Sequence, residues 1–326
     1  MAMAKRALRA GIDLGGTKIQ AIVVDERHAV LGQARLPTPT AGGPDAVVRD
    51  LAASVRAACA DAGAGLADLR GVGLGSPGSI DEAQGTVGGA RNLPQWPGTP
   101  VPVARELAEA LAVAAPVRVA NDVDVATNAE FVLGAAADYA SLLGVFWGTG
   151  VGGGLVLDGK PWSGRESAGE IGHMVVVRDG RRCPCGRRGC MEAYAGRAAM
   201  EARARHLHDD KRRKTVLFDI MRERNRDRLT SGIWFRAADR GDGLAVELLE
   251  EAVGAIAAAT ASAVNLLDPE AVVIGGGLGI RFGEPWVQKI REAMQPNLFR
   301  DDDPPAIELA ALGDLGGALG AALLVA

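Results

Sequence analysis

The sequence predicts a two-domain α/β protein, and three observations lead to that fold class. A chain of 326 residues is longer than one hydrophobic core of common size accommodates, which favours two domains. Hydrophobic residues make up 48% of the chain and aromatic residues only 4%, a balance typical of helices packed on sheets. A glycine turn between two apolar strands occurs near Gly15 and again near Gly148, which indicates two related halves.

The first domain is expected to span residues 1–120. An antiparallel meander is predicted over residues 7–36, with one turn at Gly15 and Gly16 and a break at residues 25–28. Periodic apolar residues predict helices over 45–62 and 101–113, with a short buried strand over 71–75 between them. A strand over 116–120 then leads to the boundary.

The second domain is expected to span residues 121–313 and to begin with a helix over 123–133. A strand to Trp147, a glycine turn over 148–153 and a strand over 155–157 repeat the opening pattern. An alanine-rich helix over 244–267 leads into a strand over 271–274 and a turn over 275–277. A C-terminal helix, about residues 314–326, is predicted to pack back onto the first domain.

Charge and hydropathy exclude several classes of protein. The net charge of -4 offers no concentrated basic surface for nucleic acid, and the charged residues over 203–228 mix both signs, which predicts a solvated helical face. The sequence shows neither the apolar segment of a secretory signal nor an apolar run of about eighteen residues for a membrane helix. We therefore expect a soluble cytoplasmic protein.

A cysteine-rich segment predicts a closed zinc site. Three of the four cysteines follow a histidine closely, and reduced thiolates on zinc suit this spacing better than a disulfide framework does. Such a set leaves no open coordination position for substrate, so the metal is expected to be structural. Glu170 and Glu192 flank the segment and indicate a polar binding site beside the metal. The predicted ligands are His173, Cys183, Cys185 and Cys190.

The glycine turns predict anion-binding hairpins. Residues 11–18 approach the P-loop pattern and residues 148–153 match Gly-x-Gly-x-x-Gly, yet both continue as strands where those motifs need a helix. Glycines at a strand turn let main-chain N–H groups approach an anion, and the hydroxyls of Thr17 and Thr149 can add donors. Asp13 would suit a magnesium ion that bridges phosphates. Ordinary hairpin turns are the alternative.

Together these segments resemble the ROK family of sugar kinases and related repressors, within the actin and hexokinase superfamily. Residues 13–18 are similar to that superfamily's first phosphate loop, 148–150 to its second and 274–277 to its adenosine motif. The Glu-x-Gly-His element at 170–173, with the cysteines that follow, is similar to the family's specific signature. The resemblance implies two actin/hexokinase-like (ribonuclease H-like) domains with a cleft between them, closure on sugar binding, and homodimers or higher homo-oligomers.

The resemblance also implies an ATP-dependent kinase for the 6-hydroxyl of a hexose, with glucose as the leading acceptor and with Mg²⁺ and structural Zn²⁺. Asp122 stands at a strand end and is expected to be the catalytic base. Asn121 is expected to bond a neighbouring hydroxyl, with capping of the next helix as the alternative role for both residues.

Further site residues are implied by the resemblance. Gly75 and Asn92 are equally compatible with turn roles, and Lys18 either contacts phosphate or is solvated. The implied nucleotide contacts are Asp13, Gly15, Gly16, Thr17, Lys18, Gly148, Thr149, Gly150, Gly275, Gly276 and Gly277. The implied sugar contacts are Asn121, Asp122, Glu170, His173, Glu192, Gly75 and Asn92.

Other functions stay open at this point. A sugar-responsive repressor would need a helix-turn-helix domain, for which the short segment before the first phosphate loop leaves no room. A sugar-binding module without catalysis would not need two phosphate hairpins and two aspartates. N-acetylmannosamine, N-acetylglucosamine, fructose or allose could replace glucose, and polyphosphate could replace ATP. The charged insertion over 206–236 has no counterpart in the compact family pattern.

Overall fold

The computed structural model describes residues 7–90, Leu93 and 95–326. Asn92, an expected sugar contact, lies outside the described residues. Within those residues, none of the helices combines the length and the apolar character that crossing a membrane requires.

Strands fall where the sequence has runs of valine, isoleucine, leucine and glycine, and most of their residues are buried. The described strands are β1 (Leu8–Leu14), β2 (Lys18–Val24), β3 (Val30–Pro37), β4 (Leu69–Ser76), β5 (Ser79–Asp81), β6 (Thr86–Gly88), β7 (Val117–Asn121), β8 (Leu142–Trp147), β9 (Val151–Leu157), β10 (Lys160–Pro161), β11 (Ala271–Gly275) and β12 (Ala306–Leu309).

Helices lie where apolar residues recur with helical spacing, and short 3-10 turns occupy Leu66–Asp68, Ile171–His173, Gln295–Asn297 and Gly313–Leu315. The described helices are α1 (Gly43–Asp61), α2 (Val103–Leu111), α3 (Asp122–Leu133), α4 (Glu192–Ala195), α5 (Arg197–Asp209), α6 (Leu217–Glu223), α7 (Ser231–Asp239), α8 (Gly243–Leu267), α9 (Gly276–Phe282), α10 (Glu284–Met294) and α11 (Gly316–Leu323).

Two sheets of the described residues have the same strand order. The first is β3-β2-β1-β4-β7 and the second is β10-β9-β8-β11-β12. In each sheet the first three strands of the order are antiparallel neighbours and the remaining pairings are parallel. The predicted internal duplication is therefore confirmed at the level of sheet topology.

The chain divides into two compact units. The first contains the residues up to Gly134 together with Ser163–Glu166 and Leu312–Ala326, and the second contains Ala135–Trp162 and Ser167–Ala311. The sequence places a boundary at residue 120, whereas the first unit also contains α3. The physical reason is that α3 packs against α11 and β4, so its apolar face is buried within the first unit.

The first unit buries both faces of its sheet. Ile19, Ala21 and Val23 of β2 point into a core shared with α1 and α2, while Ile22 and Val24 point into a second core shared with α3 and α11. The helix α11 can lie directly on the strands because the residues between them are small. A methyl group at Gly73, for example, would lie 1.7 Å from the carbonyl oxygen of Ala321.

The second unit packs its helices around α8 and the second sheet, with Trp147 and Trp234 fully buried in one core. The expectation of a solvated helical face over 203–228 holds for many charged positions but is wrong for the apolar ones. Leu217, Phe218 and Ile220 of α6 are buried, because α6 turns its apolar side to this core.

Candidate active site

Three parallel strands of the first unit end side by side. In the sheet register Asp13 of β1 faces Gly75 of β4, which faces Ala120 of β7, and the next residue of β7 is Asn121. Asp122 follows as the first residue of α3. Because the carboxyl ends of parallel strands share one edge of a sheet, the fold brings Asp13, Gly75 and Asp122 together.

The carboxyl group of Asp122 has a pKa well above the usual range for aspartate. Its pKa is raised to about 7, chiefly because the surrounding protein desolvates the half-buried side chain and secondly because Asp13 contributes negative charge. Hydrogen bonds from the main chain of Val123 and of Asp122 itself oppose this shift. A carboxylate with a pKa near 7 suits proton acceptance at neutral pH better than an ordinary aspartate does.

Asn121 caps α3. Its Oδ1 accepts hydrogen bonds from the main-chain N–H of Val123 at 2.9 Å and of Asp124 at 3.3 Å. The capping role considered for this asparagine is therefore observed, and it satisfies two N–H groups that the helix leaves open. The cap also fixes the direction in which α3 leaves the sheet, and with it the position of Asp122.

Asp13 lies in a charged cluster at the first glycine hairpin. Burial raises the pKa of Asp13, the positive charge of Lys18 lowers it, and the negative charge of Asp314 raises it again. Lys18 Nζ lies 3.3 Å from Asp314 Oδ1, and Arg35 lies 3.5 Å from the other oxygen. Lys18 is thus paired with a carboxylate rather than simply solvated.

Thr38 holds the tip of the first hairpin, although no sequence motif indicated this residue. Its hydroxyl donates to the Gly15 carbonyl at 2.6 Å, and its main-chain N–H donates to the Thr17 carbonyl at 3.2 Å. Gly16 and Thr17 are exposed at the tip. The hairpin therefore presents main-chain N–H groups and a hydroxyl on a fixed turn, as an anion site requires.

The second hairpin is held by the helix α5. The main-chain N–H of Arg197 donates to the Gly148 carbonyl at 3.1 Å, and that of Ala198 donates to the Thr149 carbonyl at 3.0 Å. Within the turn, Gly148 N–H donates to the Gly150 carbonyl at 2.9 Å. The two sheet-end turns of this unit are adjacent in register, because β8 and β11 are parallel neighbours.

The turn predicted over 275–277 is the start of α9. Gly276 has a φ of 78°, and a methyl group there would lie 2.5 Å from the Trp147 carbonyl oxygen. Only glycine fits this left-handed and crowded position. The main chain of Gly276 and Gly277 consequently begins a helix directly beside the second hairpin.

The fold brings the four predicted metal ligands together. Their ligand atoms all lie within 4.8 Å of one another. His173 Nδ1 is 3.8 Å from Cys183 Sγ, and the Sγ atoms of Cys185 and Cys190 are 3.7 Å apart. A tetrahedral zinc ion bound to sulfur at about 2.3 Å separates its ligands by about 3.8 Å, so this donor set fits zinc.

His173 has its two nitrogens on different sides. Nδ1 faces the cysteines, while Nε2 lies 3.8 Å from Glu170 Oε2. A metal on Nδ1 would leave Nε2 as an N–H donor, and the exposed Glu170 carboxylate lies on that side. Glu170 and Nε2 of His173, two of the expected sugar contacts, therefore lie on the side of the imidazole ring that faces away from the cysteines.

Glu192 connects the cysteine segment with the second hairpin. Its Oε2 accepts the main-chain N–H of Val151 at 3.0 Å, and its Oε1 lies 3.8 Å from Cys183 Sγ. The indole N–H of Trp147 donates to the Ala195 carbonyl at 2.7 Å, which fixes α4 to the end of β8. Glu192 therefore contacts both the second hairpin and the cysteine segment.

Arg181 clamps the cysteine segment to α8 and was not indicated by the sequence. Its guanidinium makes a two-pronged ion pair with Glu251, with N–O distances of 2.8 and 2.7 Å. The same guanidinium lies 4.6 Å above the centre of the Tyr194 ring. The Arg181-Arg182 pair before Cys183 carries no sequence signal for such a contact.

The chain is similar to known proteins over nearly its whole length. The chain matches the ROK family over residues 9–326. It is 33% identical to a glucokinase of Streptomyces coelicolor over 97% of this chain and 96% of the relative. An N-acetyl-D-glucosamine kinase of Pectobacterium atrosepticum is 32% identical, with 96% of this chain and 97% of the relative covered.

Solved structures show the same fold. A ROK family glucokinase from Streptomyces griseus in complex with glucose and AMPPNP superposes with a TM-score of 0.80 at 32% identity. That comparison covers 98% of this chain and 99% of the other. Two α/β units with one strand order, each opened by a glycine hairpin, define the actin and hexokinase type of fold. Within that class the chain belongs to the ROK family.

Proposed function

We propose that the protein is an ATP-dependent hexose kinase that phosphorylates the 6-hydroxyl of its acceptor, with glucose as the preferred hexose. The observation that carries this proposal is the strand-end placement of Asp122 beside Asp13, with a pKa of about 7 for Asp122. Similarity to glucokinases over nearly the whole chain supports the reaction and the acceptor.

Asp122 acts as the base in this proposal. Transfer of a γ-phosphoryl group depends mainly on positioning and charge neutralisation, so one base beside phosphate-binding loops suffices. The carboxylate accepts the proton of the attacking hydroxyl as its oxygen bonds to phosphorus and the bond to ADP breaks. The amide nitrogen of Asn121 is assigned to a neighbouring hydroxyl, because its Oδ1 is used by the helix cap.

The glycine turns bind the nucleotide in this proposal. The first hairpin (15–18) and the second (148–150) direct main-chain N–H groups at phosphate oxygens, and the start of α9 contacts the adenosine. Asp13 fits Mg²⁺, because a buried carboxylate with a raised pKa gains from a nearby divalent cation. When bound, Mg²⁺ neutralises phosphate charge.

Sugar hydroxyls are assigned to Glu170, His173 and Glu192, with Gly75 and Asn92 as further contacts. Each carboxylate can accept from two vicinal hydroxyls of a pyranose, and Nε2 of the histidine donates. Zinc, when bound by His173 and the three cysteines, supplies no chemistry of its own but fixes the ring of His173.

A second acceptor class is supported by a specific observation. Relatives that are N-acetyl-D-glucosamine kinases match at 32% and 33% identity, close to the value for the glucokinases. Overall identity therefore does not separate the two acceptors, and the acceptor must be measured.

The test is an ADP-release assay with glucose, N-acetylglucosamine, N-acetylmannosamine, fructose and allose, each supplied with ATP or with polyphosphate. We expect the highest kcat/KM with ATP and glucose, and a 6-phosphate product identified by NMR. A higher value with an N-acetylhexosamine would replace glucose as the acceptor. ADP release that no hexose stimulates would contradict the proposal itself.

A further inference from the structure

Arg197 joins the second glycine hairpin to the charged insertion, and no motif in the sequence includes it. Its Nη2 donates to Thr149 Oγ1 at 2.7 Å, and its Nη1 donates to the Leu229 carbonyl at 2.9 Å. Its main-chain N–H holds the Gly148 carbonyl from the same helix end. One side chain thus contacts both the hairpin tip and the segment that precedes α7.

The contact with Arg197 sets the direction in which the hydroxyl of Thr149 can donate a hydrogen bond. A threonine hydroxyl has one hydrogen to donate and two lone pairs that accept. Because one lone pair already accepts from a guanidinium, the hydroxyl hydrogen points away from Arg197, and the charged donor makes it a stronger donor. Thr149 is exposed at the tip of the hairpin, so an anion on the hairpin can accept that hydrogen.

The insertion fixes the guanidinium in this orientation. The Leu229 main chain is itself held, because its N–H donates to Glu201 Oε2 at 3.0 Å, and Glu201 is buried. Arg205 and Arg228 form ion pairs with the same carboxylate, so the negative charge of Glu201 is balanced. The Leu229 carbonyl that accepts from Arg197 therefore belongs to a residue whose own N–H is held by the buried Glu201 of α5.

We propose that Arg197 is a positioning residue for nucleotide phosphate, acting through Thr149. It orients the Thr149 hydroxyl as a donor to a phosphate oxygen, and its anchor is the carbonyl of Leu229 in the insertion. This inference rests on the proposed function and assigns the charged insertion a role in supporting the phosphate hairpin.

The test is a double-mutant cycle in the full-length, zinc-loaded protein. Arg197→Gln, Thr149→Val and the double variant are compared by calorimetry for their Kd toward Mg-AMPPNP, with glucose Kd and Tm measured in parallel. Each single variant should raise the nucleotide Kd about tenfold, as the loss of one hydrogen bond to a charged group predicts. The double variant should bind Mg-AMPPNP no more weakly than the weaker-binding single variant does, because both substitutions remove the contribution of the same hydroxyl donor. Arg197→Lys should recover part of the loss, because an ammonium group can still reach one acceptor.

Arg213→Gln is the matched control. Arg213 lies in the same insertion and pairs with Glu247 at 2.8 Å, far along the chain from the hairpin, so its loss should leave the nucleotide Kd unchanged. Additive losses in the double variant, or a lower Tm with an unchanged nucleotide Kd, would overturn the role of Arg197. A wild-type protein that binds no Mg-AMPPNP would overturn the proposed function, and this inference with it.

Discussion

The two sheets have one topology but different chemistry at equivalent positions. In each, the residue two places before the hairpin turn faces a glycine on the parallel neighbour. In the first sheet Asp13 faces Gly75, and in the second Phe146 faces Gly275. The same backbone position therefore carries a carboxylate in one unit and an aromatic ring in the other.

The two glycines also make room for different neighbours. A methyl group at Gly75 would lie 2.7 Å from Val125 Cγ2 and 3.4 Å from the Cα of Asp122, so this glycine admits α3 and the proposed base. A methyl group at Gly275 would lie 2.8 Å from the ring of Phe146. One strand order thus accommodates the proposed base in the first unit and an aromatic contact beside the second hairpin in the other.

Asp122→Asn should have the largest effect, because it removes the feature that most distinguishes the first unit. We expect kcat to fall by about three orders of magnitude, within the range for loss of a general base, while glucose affinity stays within a few-fold. Steady-state kinetics and glucose calorimetry measure the two quantities. Wild-type turnover in this variant, with sugar still bound, would show that the base lies elsewhere.

The second-largest effect is expected from loss of the zinc site, and it should fall on the second unit. Cys185→Ser should abolish stoichiometric zinc, lower stability by about 3–5 kcal/mol and weaken glucose binding about tenfold, because His173 loses its anchor. Metal analysis, denaturant unfolding and calorimetry are the measurements.

Cys59→Ala is the control for the metal, since Cys59 is the buried cysteine of α1 in the first unit. That variant should keep one zinc per chain. Unchanged glucose affinity in verified metal-free Cys185→Ser would separate the metal from the sugar site.

The pH dependence should follow the raised pKa of Asp122. Activity requires the ionised base, so log kcat/KM should fall below about pH 7. The pKa in the folded protein lies above that of an aspartate in the unfolded chain, so the protonated form stabilises the fold, and this stability is lost as the pH rises from about 4 to about 7. Asp122→Asn cannot ionise and should therefore have a higher Tm than the wild type at pH 8, with the difference vanishing near pH 4.

The smallest effects should come from the paired glycines. Gly75→Ala and Gly275→Ala should each cost about 1–3 kcal/mol of stability, because each methyl group meets packed atoms. Their functional effects should differ: Gly75→Ala should lower kcat by displacing α3, and Gly275→Ala should raise the KM for ATP. Identical kinetic profiles for the two variants would remove the functional contrast between the sheets.

Much of this architecture could be predicted from the sequence. The meander, the long helix α8 and the repeated hairpin follow from apolar periodicity and glycine turns, which are local signals. The four candidate metal ligands could be recognised because the spacing of cysteine and histidine is itself specific, and the fold brings them together. The return of the C-terminal helix to the first unit was expected, whereas the place of α3 in that unit was not, because it depends on the packing of α3 against β4 and α11.

Side-chain contacts between segments far apart in sequence were the least predictable part of the structure. Arg181, Arg197 and Thr38 lie in no motif, and each acquires its partner only when segments far apart in sequence meet. The charged residues over 203–228 resembled a solvated surface for the same reason: Arg205 and Arg228 pair with the buried Glu201 of α5 only in the folded chain. The composition gives the number of charged residues but does not show which of them form ion pairs.

The position of Glu192 has a consequence for the order and strength of substrate binding. One oxygen of this carboxylate accepts the Val151 amide at the second hairpin, while the other lies 3.8 Å from Cys183 in the cysteine cluster. If the hairpin binds nucleotide and Glu192 binds an acceptor hydroxyl, as proposed above, acceptor binding would alter the hairpin at the same time. The two ligands would then bind cooperatively and reciprocally: whatever factor one ligand adds to the affinity of the other, it receives in return.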